Sequence, residues 1–472
     1  MSFTFSSFIF LFAPLAIIGN ALLAWIERKS SAVAKLRISE LFLVAMSLTF
    51  YLAAGWQALV FLVIYILALW LATRIRRTIP AVIAVAVAIL FYTKYIDFSL
   101  DVLSEIAGYN VWDERIIFVP LGISFITFSS ISYAVDVRRD LAPRGSLLET
   151  FFYISFFPKV ISGPIVLWRD FAPQLSERHQ AKVDWVFVVD RIIVGFAKKV
   201  IIADTFGALI AEMNPIGGVG IDVPTAWLIV LLYFFQIYFD FSGYSDIAIG
   251  ISAACGIRVK ENFNFPYIST SITEFWRRWH ISLGTWFREY LYIPLGGNRR
   301  GQARTLANLS IVFIATGVWH GAGWGYLLWG MAHGAFMVIE RLNKNKRWYQ
   351  AIPTVIKWIG TQFIVAMGWI VFIFGNLQDS REFVSIMLGR WTFDRVPFTW
   401  DYYLDAQVGT LIVIAILGAF VLGLKQLQPA RKYFTTTASG VALKSAGLLA
   451  LAVITFVTWI NSAYSPFIYF QY

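Results

Sequence analysis

Chemistry in this sequence rests on very few side chains: 472 residues hold four histidines and one cysteine. From Thr305 to Ile339 the chain runs 35 residues without an aspartate, glutamate, lysine or arginine, and its only imidazoles there are His320 and His333. So long an apolar run must break or tilt. Gly317, Gly321, Gly323 and Gly325 gather around His320 at its centre. Glycines admit close approach of a backbone or substrate. An imidazole in low dielectric stays neutral near pH 7 and can take a proton from a hydroxyl. His320 therefore reads as a general base, and an ionisable group at membrane depth is functional by default. His333, between Ala332 and Gly334, reads instead as a packing residue at a small-residue helix contact.

His280 falls in a different setting. At 3.6 residues per turn, Ser271 to Leu291 puts Ile272, Phe275, Trp276, Trp279, Leu283, Trp286, Phe287 and Tyr290 on one face. Arg277, Arg278, Arg288 and Glu289 lie mostly opposite. Ser271 with Glu274 matches a capping box, and Glu274 with Arg278 an i,i+4 ion pair. This predicts one amphipathic helix lying in the membrane interface, with His280 at the edge of its apolar face. Taken alone, such a histidine reads first as an interior hydrogen-bonding residue and second as chemistry. Arg277, Arg278 and Arg288 suit a phosphorylated donor such as coenzyme A or lipid phosphates. Asp240, Ser242, Tyr244, Ser245 and Asp246 interrupt another apolar stretch, where buried carboxylates need partners. They read as structural, with orientation of a histidine or arginine as the alternative. His179, between Glu177 and Lys182, reads as solvated, and Cys255 as a packed core residue. There is no P-loop, no GxSxG and no CxxC pattern, and no metal ligand set is expected.

The elements that position these residues belong to a membrane. The chain is 58% hydrophobic and only 14% charged, with mean hydropathy +0.67, outside the balance of soluble domains. Between Glu40 and Arg74 lie 33 uncharged residues, too many for one crossing at 1.5 Å per residue. A tight hairpin is predicted at Ala53, Ala54 and Gly55, with Trp56 at the interface. Lysine and arginine exceed the acids by 11. In a soluble protein that surplus would suggest nucleic acid; here it sits in short loops, where the positive-inside rule explains it and no nucleic-acid partner is expected. Arg28, Lys29, Lys35 and Arg37, then Arg74, Arg76 and Arg77, then Arg138, Arg139 and Arg144 alternate with a loop rich in Asp97, Asp101, Glu105, Asp113 and Glu114. The alternation places the N-terminus outside. The first apolar stretch reads as a retained span, not a signal peptide.

Further crossings are predicted at Ile79 to Tyr92, Ile116 to Ala134, Trp185 to Leu209, Ala226 to Phe241, Leu306 to Ile339, Trp358 to Leu377, Gly409 to Leu424 and Ala446 to Trp459. The expectation is an all-α polytopic bundle of about ten to twelve spans with re-entrant and interfacial helices. Leu147 to Trp168, which carries Pro158, Lys159, Gly163 and Pro164, reads as re-entrant; such backbone is tolerated at depth only where it is buried in protein or lines a wet cavity. No linker or repeat divides the chain, so residues 1–472 read as one domain with a core motif region of about 116–340.

Five strings carry a resemblance: PLGISFITFSSISYAVDV at Pro120 to Val137, YISFFPKVISGPIVLWRDFAPQL at Tyr153 to Leu175, FDFSGYSDIAIG at Phe239 to Gly250, ENFNFPYISTSITEFWRRWHISLGTWFREYLYIPLGGNRRG at Glu261 to Gly301, and TGVWHGAGWGYLLWGMAHG at Thr316 to Gly334. Together they resemble the membrane-bound O-acyltransferase family, in its branch of alginate O-acetyltransferase membrane subunits. The resemblance implies that His320, in the WHG string, is catalytic and that His280, in the WHIS string, is the second important histidine. It implies acetyl-CoA as donor substrate, with no tightly bound cofactor, reaching mid-membrane through a cytoplasmic tunnel. It further implies a bacterial inner-membrane location and a separate extracytoplasmic transferase partner that passes acetyl to a polysaccharide. His320 would then activate an acceptor hydroxyl or carry the acetyl itself. Acyl transfer to a lipid or protein is the neighbouring alternative. A transporter component, which should show inverted repeats or a lined pore, is the alternative from another class.

Overall fold

The computed structural model describes residues 3–111, 118–176, 178–213, 220–390, 396–461 and 467–468. Asp113, Glu114, Ile116 and the side chain of His179 lie outside them. Every described element is helical. Among the described residues six helices are long and apolar enough to cross a membrane: Phe8–Lys29, Arg76–Lys94, Val223–Ala254, Thr354–Phe374, Ala406–Gly423 and Ala438–Asn461; Ile38–Leu52 and Trp56–Ala72 are shorter apolar helices. This is a multi-pass membrane protein. Its chain packs as two compact units interleaved in sequence: the first comprises Met1–Ile192, Tyr244–Glu261 and Thr285–Leu291, the second Ile193–Gly243, Asn262–Gly284 and Tyr292–Tyr472.

In the first unit, α1 (Ala13–Lys29) is followed by the hairpin of α2 (Ile38–Leu52) and α3 (Trp56–Ala72), which turns at the predicted place. Gly55 there has φ 116°, a backbone only glycine adopts readily. Next come α4 (Ile79–Lys94) and α5 (Ile96–Ala107), the latter carrying Asp97, Asp101 and Glu105. The basic loops meet at one end of this unit. Arg37 pairs with Glu149 at 2.8 Å and Arg76 with Asp140 at 2.9 Å. Lys29 lies 4.0 Å over the Trp25 ring and Arg74 3.9 Å over Trp70, the cation and indole pairing of a helix end at a membrane interface.

Helix α6 (Ile123–Arg138) is buried almost all round. Between α7 (Leu147–Ser155) and α8 (Trp168–Leu175), residues 156–167 are non-helical yet buried throughout, as the re-entrant reading requires. Lys159 there is 4% exposed; it donates to Ser129 Oγ at 2.9 Å and lies 4.2 Å over the Tyr153 ring. Among the described residues no carboxylate is within ion-pair distance of it.

The chain passes to the second unit through α9 (Trp185–Ala197), continues into α10 (Asp204–Met213), and returns through α11 (Val223–Ala254), 32 residues long. At 1.5 Å per residue, α11 exceeds a bilayer core of about 30 Å. The polar cluster does not interrupt this helix. Asp240 is met by Lys199 at 2.7 Å and accepts the Ile468 N–H at 2.8 Å; Lys199 also reaches Asp204 at 2.7 Å. Asp246 pairs with Arg191 in the first unit. These carboxylates are structural, each with its cation, as burial demands.

Candidate active site

The segment around His280 departs from the single helix its periodicity predicts. Two short helices form, α12 (Ile272–Arg278) and α13 (Ile281–Phe287), and His280 between them is left-handed at φ 45°. The periodic signal is genuine, since Ile272, Phe275, Trp279, Leu283, Trp286 and Phe287 are all buried. What breaks the helix is tertiary: Asn264 N–H donates to the Arg278 carbonyl and Ile281 N–H to the Asn262 carbonyl, each at 2.9 Å. A residue 18 positions upstream of His280 thereby takes over backbone bonding that a helix would keep internal. The capping box is half formed. Ser271 Oγ accepts the Glu274 N–H at 3.0 Å, but the Glu274 carboxylate accepts from Thr270 N at 3.0 Å and binds Arg278. Burial works to raise the Glu274 pKa, and these partners outweigh it, holding it below the usual range. Glu340 completes the cap, accepting from Ile272 N at 2.6 Å, Thr273 N at 2.9 Å and Thr273 Oγ1 at 2.7 Å.

The apolar run containing His320 breaks where the glycines foretell. Helix α14 (Gly301–His320) ends on that histidine, and α15 (Trp324–Asn343) begins after Gly321 to Gly323. The two helices approach backbone to backbone: a Cβ on Gly317 would stand 2.4 Å from the Tyr326 carbonyl oxygen, and one on Gly330 2.4 Å from that of Phe313. Small residues permit this contact.

His320 is 3% and His280 1% exposed. Both rings meet one indole, with Trp319 centred 4.9 Å from His320 and 6.1 Å from His280. The two imidazoles, 40 positions apart in sequence, thus share one indole as a neighbour. Trp329 at 5.1 Å and Phe372 at 5.2 Å complete the ring wall of His320, and Phe241 stands edge-on to His280 at 4.7 Å. His333 is buried and accepts from Trp276 Nε1 at 3.4 Å, a packing role.

The three arginines fare differently. Arg277 is exposed on α12. Arg278 is engaged by Glu274 at 2.9 Å and the Asn264 carbonyl at 3.0 Å. Arg288 belongs to the first unit and pairs with Glu289 at 2.8 Å. Sequence reasoning passed over Trp319, Asn262, Ser282 and Glu340. All but Glu340 stand inside the quoted strings, yet an uncharged polar or aromatic residue in an aromatic-rich segment carries no periodic signal.

Two buried imidazoles that touch one indole make this part of a multi-pass helical chain the candidate site. The chain belongs to the membrane-bound O-acyltransferase family, whose family model matches residues 121–378. It is 39% identical to the "Probable alginate O-acetylase AlgI" of Pseudomonas aeruginosa, over 83% of this chain and 77% of that one. It is 32% identical to the "Peptidoglycan O-acetyltransferase" of Helicobacter pylori, over 81% and 79%. With the "Teichoic acid D-alanyltransferase" of Bacillus subtilis it shares 30% identity over 53% and 68%. The protein is accordingly an O-acyltransferase.

Proposed function

We propose that the protein takes acetyl from acetyl-CoA on the cytoplasmic side and delivers it across the inner membrane for O-acetylation of an extracytoplasmic polysaccharide, by way of a separate transferase. The observation carrying this reading is the contact of both His320 and His280 with Trp319 inside the family-matched stretch. Relatives named for alginate and for peptidoglycan O-acetylation support acetyl as the group and a glycan as its destination. The basic loops clustered at one end of the first unit support a cytoplasmic face there and an N-terminus outside.

In the proposed reaction, neutral His320 takes the proton of an acceptor hydroxyl as the hydroxyl oxygen bonds to the acyl carbon. The carbon–sulfur bond breaks, and the imidazolium returns the proton to the departing thiolate. His280 orients the donor or the acceptor. Arg277, less engaged than Arg278 beside it in sequence, is available to donor phosphates, with Arg278 in a supporting role.

The test is His320→Ala, with membrane abundance quantified and transfer from radiolabelled acetyl-CoA to extracytoplasmic glycan measured. Loss of transfer at normal abundance is expected. Transfer at the wild-type rate would make His320 structural. Label recovered in lipid or protein, not glycan, would redirect the acceptor.

A further inference from the structure

We infer that Asn262 is a positioning residue for His280: pinned by Ser282, its amide oxygen takes the proton on His280 Nδ1 and so makes Nε2 the ring nitrogen that can accept a proton. The inference rests on the reading of His280 as part of the acyl-transfer site. Its geometry comes from obligate donors. The backbone N–H of Ser282 points at the Asn262 amide from 3.1 Å, and a backbone N–H can only donate. The atom it meets must therefore be the oxygen, because the amide NH2 would set donor against donor. Ser282 Oγ donates to the same oxygen at 2.8 Å. With two donors holding it, the amide cannot flip without losing both bonds.

His280 Nδ1 lies 3.2 Å from that oxygen. A lone pair on Nδ1 would face the lone pairs of the oxygen, whereas a proton there gives a third hydrogen bond, which sets the tautomer. Asn262 and His280 are each 1% exposed and Ser282 8%, so bulk water does not compete for these bonds. The main chain adds to the alignment, since the Asn262 carbonyl accepts the Ile281 N–H at 2.9 Å and His280 holds its left-handed φ of 45° directly before it. A left-handed non-glycine residue persists only where its surroundings impose it. Here the same asparagine fixes the backbone after the histidine and the proton on its ring. His280→Asn, read beside it, tells the two readings apart.

The full-length protein, labelled with 15N-histidine, tests this directly. The chain has four histidines, and the His280 signal in a long-range 1H–15N spectrum is identified by its disappearance in His280→Asn. The expected wild-type pattern is protonated Nδ1 and unprotonated Nε2. Asn262→Leu should lose that pattern and lower turnover at least ~10-fold with the donor KM within about twofold of wild type, the split of a misdirected hydrogen-bond acceptor that orients the acyl acceptor. Protonated Nε2 in the wild type would overturn the inference, as would Asn262→Leu with wild-type spectrum and turnover. If Asn262→Leu fails to reach the membrane, the wild-type spectrum still decides, and Ser282→Ala, which removes one of the two pins, supplies the milder variant. Wild-type turnover in His280→Asn would retire the catalytic reading of His280 and leave the tautomer assignment standing.

Discussion

His280 combines two demands that can be separated by substitution. Its ring belongs to the proposed site, and its backbone is left-handed. Asparagine tolerates that conformation better than alanine does. His280→Asn is therefore expected to accumulate close to wild-type amounts and His280→Ala to be less stable by ~1 kcal/mol, with acyl transfer lost in both. Western quantification beside the transfer assay checks this, and activity surviving in His280→Asn would leave only the backbone role. Lys159 presents the opposite case, a buried ammonium held by one serine hydroxyl and one tyrosine ring. Desolvation of a cation costs several kcal/mol, against about 1–2 recovered from a cation–π contact. Lys159→Met should thus unfold within about 1 kcal/mol of wild type or higher. Thermal unfolding in detergent measures it, and a Tm lowered by many degrees would mean that the charge itself holds the non-helical segment in place.

Among the elements, α12 depends on a partner far along the chain. Glu340 accepts three hydrogen bonds at its first turn, so Glu340→Ala leaves orphan N–H groups and should cost ~2 kcal/mol. A Tm unchanged in that variant would show the cap to be dispensable. At the α14–α15 contact, Gly317→Ala places a methyl 2.4 Å from a carbonyl oxygen; the helices must part, with an expected cost of ~1–3 kcal/mol and misplacement of His320 at the end of α14. Normal yield and activity in Gly317→Ala would contradict the close packing. These two elements also mark what the sequence discloses. The break after His320, the hairpin at Gly55 and the buried non-helical stretch after α7 were legible, because run length, glycine and proline act locally. The break at His280 was not, because its cause is the backbone of Asn262 and Asn264, and a 3.6-residue period persists across two short helices on one line. Trp319 was likewise hidden as the meeting point of the two imidazoles: proximity of His280 and His320 is a tertiary fact, whereas their individual conspicuousness was not.

For the whole molecule, orientation decides which side meets the donor. In the first unit, ion pairs join Arg37 to Glu149 and Arg76 to Asp140, so the basic loops after α1, α3 and α6 share an end, while α5 with its carboxylates follows α4 away from it. In the orientation proposed above, the positive-inside rule assigns the shared end to the cytoplasm. The single cysteine makes this testable with little background, since Cys255 is fully buried. In a Cys255→Ala background, a thiol introduced by Ser31→Cys reports on the loop after α1 and one introduced by Tyr109→Cys on the turn after α5, both at exposed positions. A membrane-impermeant maleimide applied to intact spheroplasts should label the Tyr109→Cys protein and spare Ser31→Cys until the membrane is opened. The reverse pattern would turn the basic end outward and remove a cytoplasmic acetyl donor from reach of that face. Equal labelling of both would break the alternation of α2, α3 and α4 across the bilayer, and with it the span assignment on which the orientation stands.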